Sequence, residues 1–452
     1  MTARWTLLVL ALPLACATTS PPQVPQRVAA AEPAKVPDPA PAASETPADP
    51  SACTPLTLQV EPPPADHIDA KIPEIQDFSQ GGNQLDATYE KLARLLRGRA
   101  TESVRIGFWG DSNMTRDFIS GELRRVLQRR FGDAGHGFIA VGKPWSWYIH
   151  ENVQHGSDSS WAAVNMSTNQ VLDRLYGMGG VAAQASHGGA HAWVATAEKG
   201  APVGTRASRI QVMYLKHPKY GSFEVKIDGN SRGVTETAAS EPGAGLLSYD
   251  VPDGAHRVDF ISRDAPVRLL GAVLERSAPG VVVDDLAIGG VNTELIARAD
   301  AKLTAATLRM RDYDLVMLLT GATEPDAPSH DAGAKALVQT VRSALPNAAF
   351  LMMSPPDLAG GDLAHPTRVI RMNQIERRKL DVARDLGLLY WDFRGAMGGE
   401  QSIVRFAEHK MAWKDFIHLT GTGGHAMGRR FAIALLRGFA AWLEKHPDAG
   451  CS

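Results

Sequence analysis

Apolar positions follow two different rhythms along this chain, and the rhythm changes twice. Residues 85–97 place Leu85, Tyr89, Leu92, Leu95 and Leu96 at the spacing of one helix face. Val104-Arg105-Ile106-Gly107-Phe108 is a short apolar run of the kind that forms a buried strand. Residues 115–130 then return to helical spacing through Phe118, Ile119, Leu123, Val126 and Leu127. From residue 281 the alternation resumes, with strands expected at 281–288, 313–319, 348–354 and 388–393. Helices are expected at 293–310, 331–345, 368–386 (long and basic-faced) and 424–445. Strands alternating with helices imply a parallel sheet covered on both faces, an α/β fold.

The middle of the chain has another texture. Residues 209–215, 222–227, 245–251, 256–261 and 267–276 are short runs bounded by Gly, Pro, Asn and Asp, with turn signals at Tyr220-Gly221 and Asp228-Gly229-Asn230. Many short strands at this spacing indicate an antiparallel β-sandwich or jelly roll. It is expected as an insertion over residues 143–279, between α/β segments at 71–142 and 280–447.

The N-terminus adds an address. Arg4, an apolar run over residues 5–14, and Ala15 before Cys16 read as a lipoprotein-type export signal over residues 1–16, with Cys16 lipidated. Pro13 is unusual there, and a plain cleaved signal peptide is the alternative. The apolar run is short for a membrane span. Residues 17–70 are rich in Pro and Ala and are expected to be a disordered tether. The product would be exported to the cell envelope, its membrane contact made through the lipid. The chain has three cysteines. With Cys16 lipidated, Cys53 and Cys451 remain, either as a disulfide that export permits or as two free thiols. At 452 residues and 44% hydrophobic content there is material for two folded units, and a net charge of −2 gives no sign of a nucleic-acid partner.

Chemistry concentrates at two places. Gly110-Asp111-Ser112-Asn113 stands between the first strand and its helix, where a tight turn would expose a serine hydroxyl and a helix N-terminus would offer N–H groups to an oxyanion. Near the other end, Asp415-Phe416-Ile417-His418 sets an aspartate and a histidine three residues apart. Together these blocks resemble the SGNH/GDSL hydrolases. The family's glycine block is matched at Ile288-Gly289-Gly290-Val291-Asn292, and its Gly-x-Asn block is altered to Gly321-Ala322-Thr323. The resemblance implies a flavodoxin-like, three-layer parallel-sheet fold, with Ser112 as nucleophile, His418 as base and Asp415 orienting it. The oxyanion hole would use the N–H groups of Ser112 and Gly290, with Thr323 standing where the family has asparagine.

An inserted β-domain also resembles the arrangement in bacterial peptidoglycan O-acetylesterases, where a carbohydrate-binding-module-like β-sandwich interrupts the hydrolase. Phe131-Gly132-Asp133-Ala134-Gly135-His136-Gly137-Phe138 and Val267-Arg268-Leu269-Leu270-Gly271 carry that likeness. It implies a serine esterase acting on O-acetyl groups of an envelope polysaccharide, peptidoglycan foremost, with no metal or organic cofactor. A polysaccharide O-acetyltransferase and a glycan-binding lipoprotein with a degenerate site are the alternatives.

Other groups carry less. Asp111 supports the serine loop or caps a helix, and Glu324 has no assigned partner. Asn292 has no assigned direction. His187 and His191 sit in a Gly-rich stretch that lacks helical metal-site geometry. Gly135-His136-Gly137 is no dinucleotide fingerprint, because it does not follow a strand. Trp145, Trp147, Tyr148 and Trp161 suit either sugar stacking or packing between domains.

Overall fold

The computed structural model describes residues 53–451 apart from residue 64, so the expected signal segment, Cys16 and the first part of the tether lie outside the described residues. Five strands form a parallel sheet: Val104–Gly110, Val281–Ala287, Leu315–Leu319, Ala349–Met353 and Leu389–Trp391. Counted along the chain, their order across the sheet is 2-1-3-4-5, the doubly wound flavodoxin order. A short edge strand, Gln76–Asp77, adds antiparallel to Leu389–Trp391.

The sheet's two faces bury different side chains, as alternation requires. Ile106, Phe108, Met317 and Leu351 join one apolar cluster with Ile119, Leu123 and Leu127 of helix Phe118–Phe131 and Phe431, Leu435 and Phe439 of helix Gly421–Lys445. Trp109, Leu318 and Met352 face the other way, among Leu303, Leu308, Leu337, Val341 and Val382. The expected helix over 293–310 is two helices, Thr293–Ala297 and Ala301–Arg311. The Asp300 carboxylate accepts the Leu303 N–H at 2.7 Å and so starts the second one afresh.

Between the first helix and the second parallel strand lie two antiparallel sheets. One contains Val153–Ser157, His191–Thr196, Ser222–Ile227, Asn230–Glu236 and Arg257–Asp264. The other contains Trp161–Asn165, Val181–Ala185, Ala207–Lys216, Gly243–Gly254 and Val267–Glu275. Val194, Val212, Phe223, Val225, Phe260 and Leu269 from both sheets share one buried apolar cluster. Antiparallel pairing begins upstream of residue 143, because Gly135–Ile139 pairs with Val267–Glu275. Across the junction, Glu275 pairs with Arg105 at 3.1 Å and with Arg311 at 2.8 Å.

The stretch 53–70 departs from the tether expectation. Its described residues form no helix or strand, yet Leu56, Leu58 and Val60 pack on the apolar cluster of the α/β part and Ile68 is buried. These alternating apolar residues give the segment enough surface to bury. Cys53 and Cys451 are joined as a disulfide with Cα atoms 6.0 Å apart.

Candidate active site

Because the strand order places Val104–Gly110 between Val281–Ala287 and Leu315–Leu319, the loops leaving those three strands stand side by side at one end of the sheet. Ligand sites of open α/β folds lie at such a switch point. Ser112 occupies the central loop, with Gly290 in the loop on one side and Thr323 in the loop on the other.

The structure brings Ser112, His418 and Asp415 together. Ser112 Oγ lies 2.8 Å from His418 Nε2, and His418 Nδ1 lies 2.8 Å from Asp415 Oδ2. With the Nδ1–H donated to the carboxylate, Nε2 is left to accept the serine O–H. Asp415 Oδ1 also accepts the backbone N–H groups of Ile417 at 2.9 Å and His418 at 3.0 Å. Partial burial opposes ionisation of Asp415, but these bonds outweigh it and hold the carboxyl below its ordinary range. The turn closes through Phe416, a buried residue with φ of 54°, a conformation uncommon outside glycine.

Helix Phe118–Phe131 starts farther along than the sequence implies, so its N-terminus does not adjoin Ser112. Residues 112–117 form turns, and Asp117 at the N-cap spends its carboxylate on Arg124 at 2.8 and 3.1 Å. The expected oxyanion donors are then the N–H groups of Ser112, in its own loop, and of Gly290. Neither the Ser112 nor the Gly290 N–H donates to a protein group among the described residues, and Gly290 is exposed with φ of 73°. Thr323 stands nearby, but its hydroxyl donates to the Val291 carbonyl at 2.8 Å. Asn292 is likewise engaged: Oδ1 accepts the Leu295 N–H and caps a helix, while Nδ2 donates to the Thr323 carbonyl at 3.2 Å.

Two contributions were not apparent in the sequence, those of Asn113 and of a buried charge network, while Asp111 takes the first of its two expected roles. Asn113 clasps the histidine loop: its Nδ2 donates to Ile417 O at 3.2 Å and its Oδ1 accepts Leu419 N–H at 2.9 Å. Asp111 caps no helix. Its Oδ1 accepts Asn113 N–H at 3.0 Å and its Oδ2 accepts Gly321 N–H at 2.9 Å, tying the serine loop to the Thr323 loop. Beneath them lies a buried charge network. Glu324 is fully buried and accepts the Thr293 N–H at 2.9 Å, while the Lys379 ammonium donates to Thr320 O at 2.6 Å and Thr320 Oγ1 at 2.9 Å. Burial pushes the Lys379 pKa down against the pull of Glu324 and Asp111. Burial would raise that of Glu324, but Lys379 and His330 hold it below the usual range. The signal for Lys379 lay in its spacing, since Met372, Ile375, Lys379 and Val382 share the buried face of helix Arg371–Asp385.

Other polar clusters have their own partners and make no hydrogen bond to Ser112 among the described residues. His191 pairs with Asp259 at 2.8 Å and His187 bonds the Gly188 carbonyl, so the two imidazoles have separate partners. Asp117, His136 and His150 place ligand-type atoms within 4.8 Å of one another. The Asp117 carboxylate there already accepts from Arg124, Ser120 Oγ and Glu151 N–H. Burial holds the His136 pKa well below its ordinary value and takes that of His150 down to about 4. Of the aromatic group, Trp161 is core, and Trp145 meets Tyr148 edge-on at 5.3 Å. Trp147 is 53% exposed. Among the described residues no helix is long and apolar enough to cross a membrane.

No protein-family model matches the sequence, and no curated protein matches it. Solved structures do. The fold superposes on a peptidoglycan O-acetylesterase with a TM-score of 0.67 at 22% identity, over 81% of this chain and 99% of that one. Fainter likenesses include a family two carbohydrate esterase from Clostridium thermocellum in complex with cellohexaose (TM-score 0.27, 12% identity, 62% of this chain and 99% of that one). Another is a salicylyl-acyltransferase from a tetracycline biosynthetic pathway (TM-score 0.26, 15% identity, 65% and 98%). In fold, and in the blocks that hold Ser112, Asp415 and His418, the chain resembles the SGNH/GDSL hydrolases and, among them, a peptidoglycan O-acetylesterase.

Proposed function

We propose that this protein is an SGNH-type serine esterase that removes O-acetyl groups from a cell-envelope polysaccharide, peptidoglycan foremost. The observation that carries the reading is the Ser112–His418–Asp415 relay at 2.8 and 2.8 Å, set in loops at the switch point of a parallel sheet. A serine hydroxyl is a weak nucleophile until a base takes its proton. In the proposed reaction His418 Nε2 accepts that proton as Ser112 Oγ bonds the ester carbonyl carbon. Asp415 stabilises the imidazolium without itself taking a proton. The N–H groups of Ser112 and Gly290 receive the developing oxyanion. Collapse breaks the bond to the sugar oxygen, which leaves with the proton from His418. Water activated by the same base then cleaves the acetyl-serine. Each step uses protons and electron pairs of the relay and substrate, so no metal or organic cofactor is invoked.

In this reading the two inserted antiparallel sheets are a carbohydrate-binding-module-like sandwich. The chain is exported and lipid-anchored through Cys16, with the Pro- and Ala-rich segment giving reach toward a polymer. Release into the soluble fraction on Cys16→Ser checks the anchor; unchanged membrane association refutes it. Acetate release from O-acetylated peptidoglycan and hydrolysis of 4-nitrophenyl acetate test the chemistry. Ser112→Ala and His418→Ala should each reduce turnover by ~10³-fold or more, with the double variant little worse than either. Losses that multiply would show that the two residues do not act as one unit.

A further inference from the structure

The side of Ser112 occupied by Gly289 and Gly290 is walled by the inserted segment. Trp147 belongs to the irregular stretch entering the antiparallel sheets. Its Cζ2 lies 4.0 Å from the point where a Cβ on Gly289 would stand, and Thr115 Cγ2 lies 3.9 Å from the same point. Thr115 in turn donates to the Ser112 carbonyl at 2.9 Å, so the indole borders the turn that carries the nucleophile. Trp147 as a residue is 53% exposed, unlike core Trp161. At the next residue, Ser167 Oγ lies 2.8 Å from the position of a Cβ on Gly290. That hydroxyl has no hydrogen-bond partner among the described residues. Its backbone is fixed, since Asn165 Oδ1 accepts the N–H groups of Ser167 at 2.9 Å and Thr168 at 2.7 Å.

An exposed indole at one glycine and a held, uncommitted hydroxyl at the next match a pyranose, which offers an apolar C–H face and polar edges. Two glycines at this point keep the approach open. A side chain at Gly289 would stand against the Cζ2 edge of the indole, and one at Gly290 would press on Ser167. We propose that Trp147 and Ser167 form a pyranose subsite on the Gly289–Gly290 side of Ser112. The indole stacks on a ring of the acetylated glycan, and Ser167 hydrogen-bonds that ring's substituent. This assignment rests on the esterase reading and gives the insertion a direct part in substrate choice. Trp413 is equally exposed, but it belongs to the turn that carries His418, where its backbone N–H donates to the His418 carbonyl at 2.8 Å, and not to the inserted segment.

The test compares kcat/KM of the full-length protein on O-acetylated peptidoglycan with that on 4-nitrophenyl acetate, which has no pyranose. Trp147→Ala should lower the ratio of glycan to aryl-ester kcat/KM by on the order of tenfold, mainly through KM for the glycan. Trp147→Phe, which keeps a stacking face, should hold the ratio within about threefold of the parent. Ser167→Ala should lower it by about two- to fivefold. An unchanged ratio in Trp147→Ala, or equal losses on both substrates, would overturn the subsite. Undiminished activity of Ser112→Ala on both esters would instead overturn the esterase reading on which it rests.

Discussion

Replacing Asn113 with alanine tests whether the base is placed by its own turn or by the serine loop. Asn113 is 6% exposed, and its amide adds two hydrogen bonds to the Ser112–His418 bond that joins the serine loop to the chain around His418. Losing the two bonds should cost about 1–3 kcal/mol of stability, at a net 0.5–1.5 kcal/mol each. The catalytic effect should be larger than that figure suggests. Without the clasp His418 keeps its tie to Asp415 but loses its register against Ser112, and a displacement near 1 Å costs about 10²-fold in rate. kcat on 4-nitrophenyl acetate should therefore fall about 10²-fold, with KM little changed. A fluorophosphonate probe should still label Ser112, but more slowly. Thermal unfolding measured alongside separates the two effects. A variant whose melting temperature falls while kcat stays within about threefold would refute the reasoning. It would show that the Asp415 turn, through the N–H groups of Ile417 and His418, positions the imidazole unaided.

Thr323 should behave as a structural residue. Its hydroxyl is spent on the Val291 carbonyl, so Thr323→Val should cost about 1 kcal/mol of stability and change kcat by less than about threefold. A loss of 10²–10³-fold, the usual cost of an oxyanion donor, would return it to the hole. Acid should weaken the fold at the junction between the α/β part and the inserted sheets. There burial, only partly offset by Asp117, takes His150 from its ordinary 6.5 down to about 4. The unfolded chain therefore binds more protons between those values. The contribution is complete above pH 6.5 and is lost as pH falls toward 4, reaching about 2 kcal/mol at pH 5. Urea unfolding at pH 7.5, 6 and 5 checks this, and stability that does not change over the range would refute it.

Sequence alone carried the α/β alternation, the two chemical blocks and their order, because apolar spacing and turn residues are local quantities. It located five of the strands of the inserted sheets but not others such as Val181–Ala185 or Val153–Ser157. Their Ala, Gly and His content becomes strand only when neighbours supply the ladder. It likewise passed over Leu56, Leu58 and Val60, whose burial depends on a surface formed far along the chain. What tertiary structure decided was partnership. Thr323 and Asn292 lose their donors to each other's loops, Asn113 acquires the histidine loop, and Glu324 and Lys379, bonded to Thr293 and Thr320, bias each other's charge beneath the site. A side chain's identity says which bonds it can make. Which bond it makes depends on the groups that folding brings within about 3 Å, and the sequence does not hold that distance.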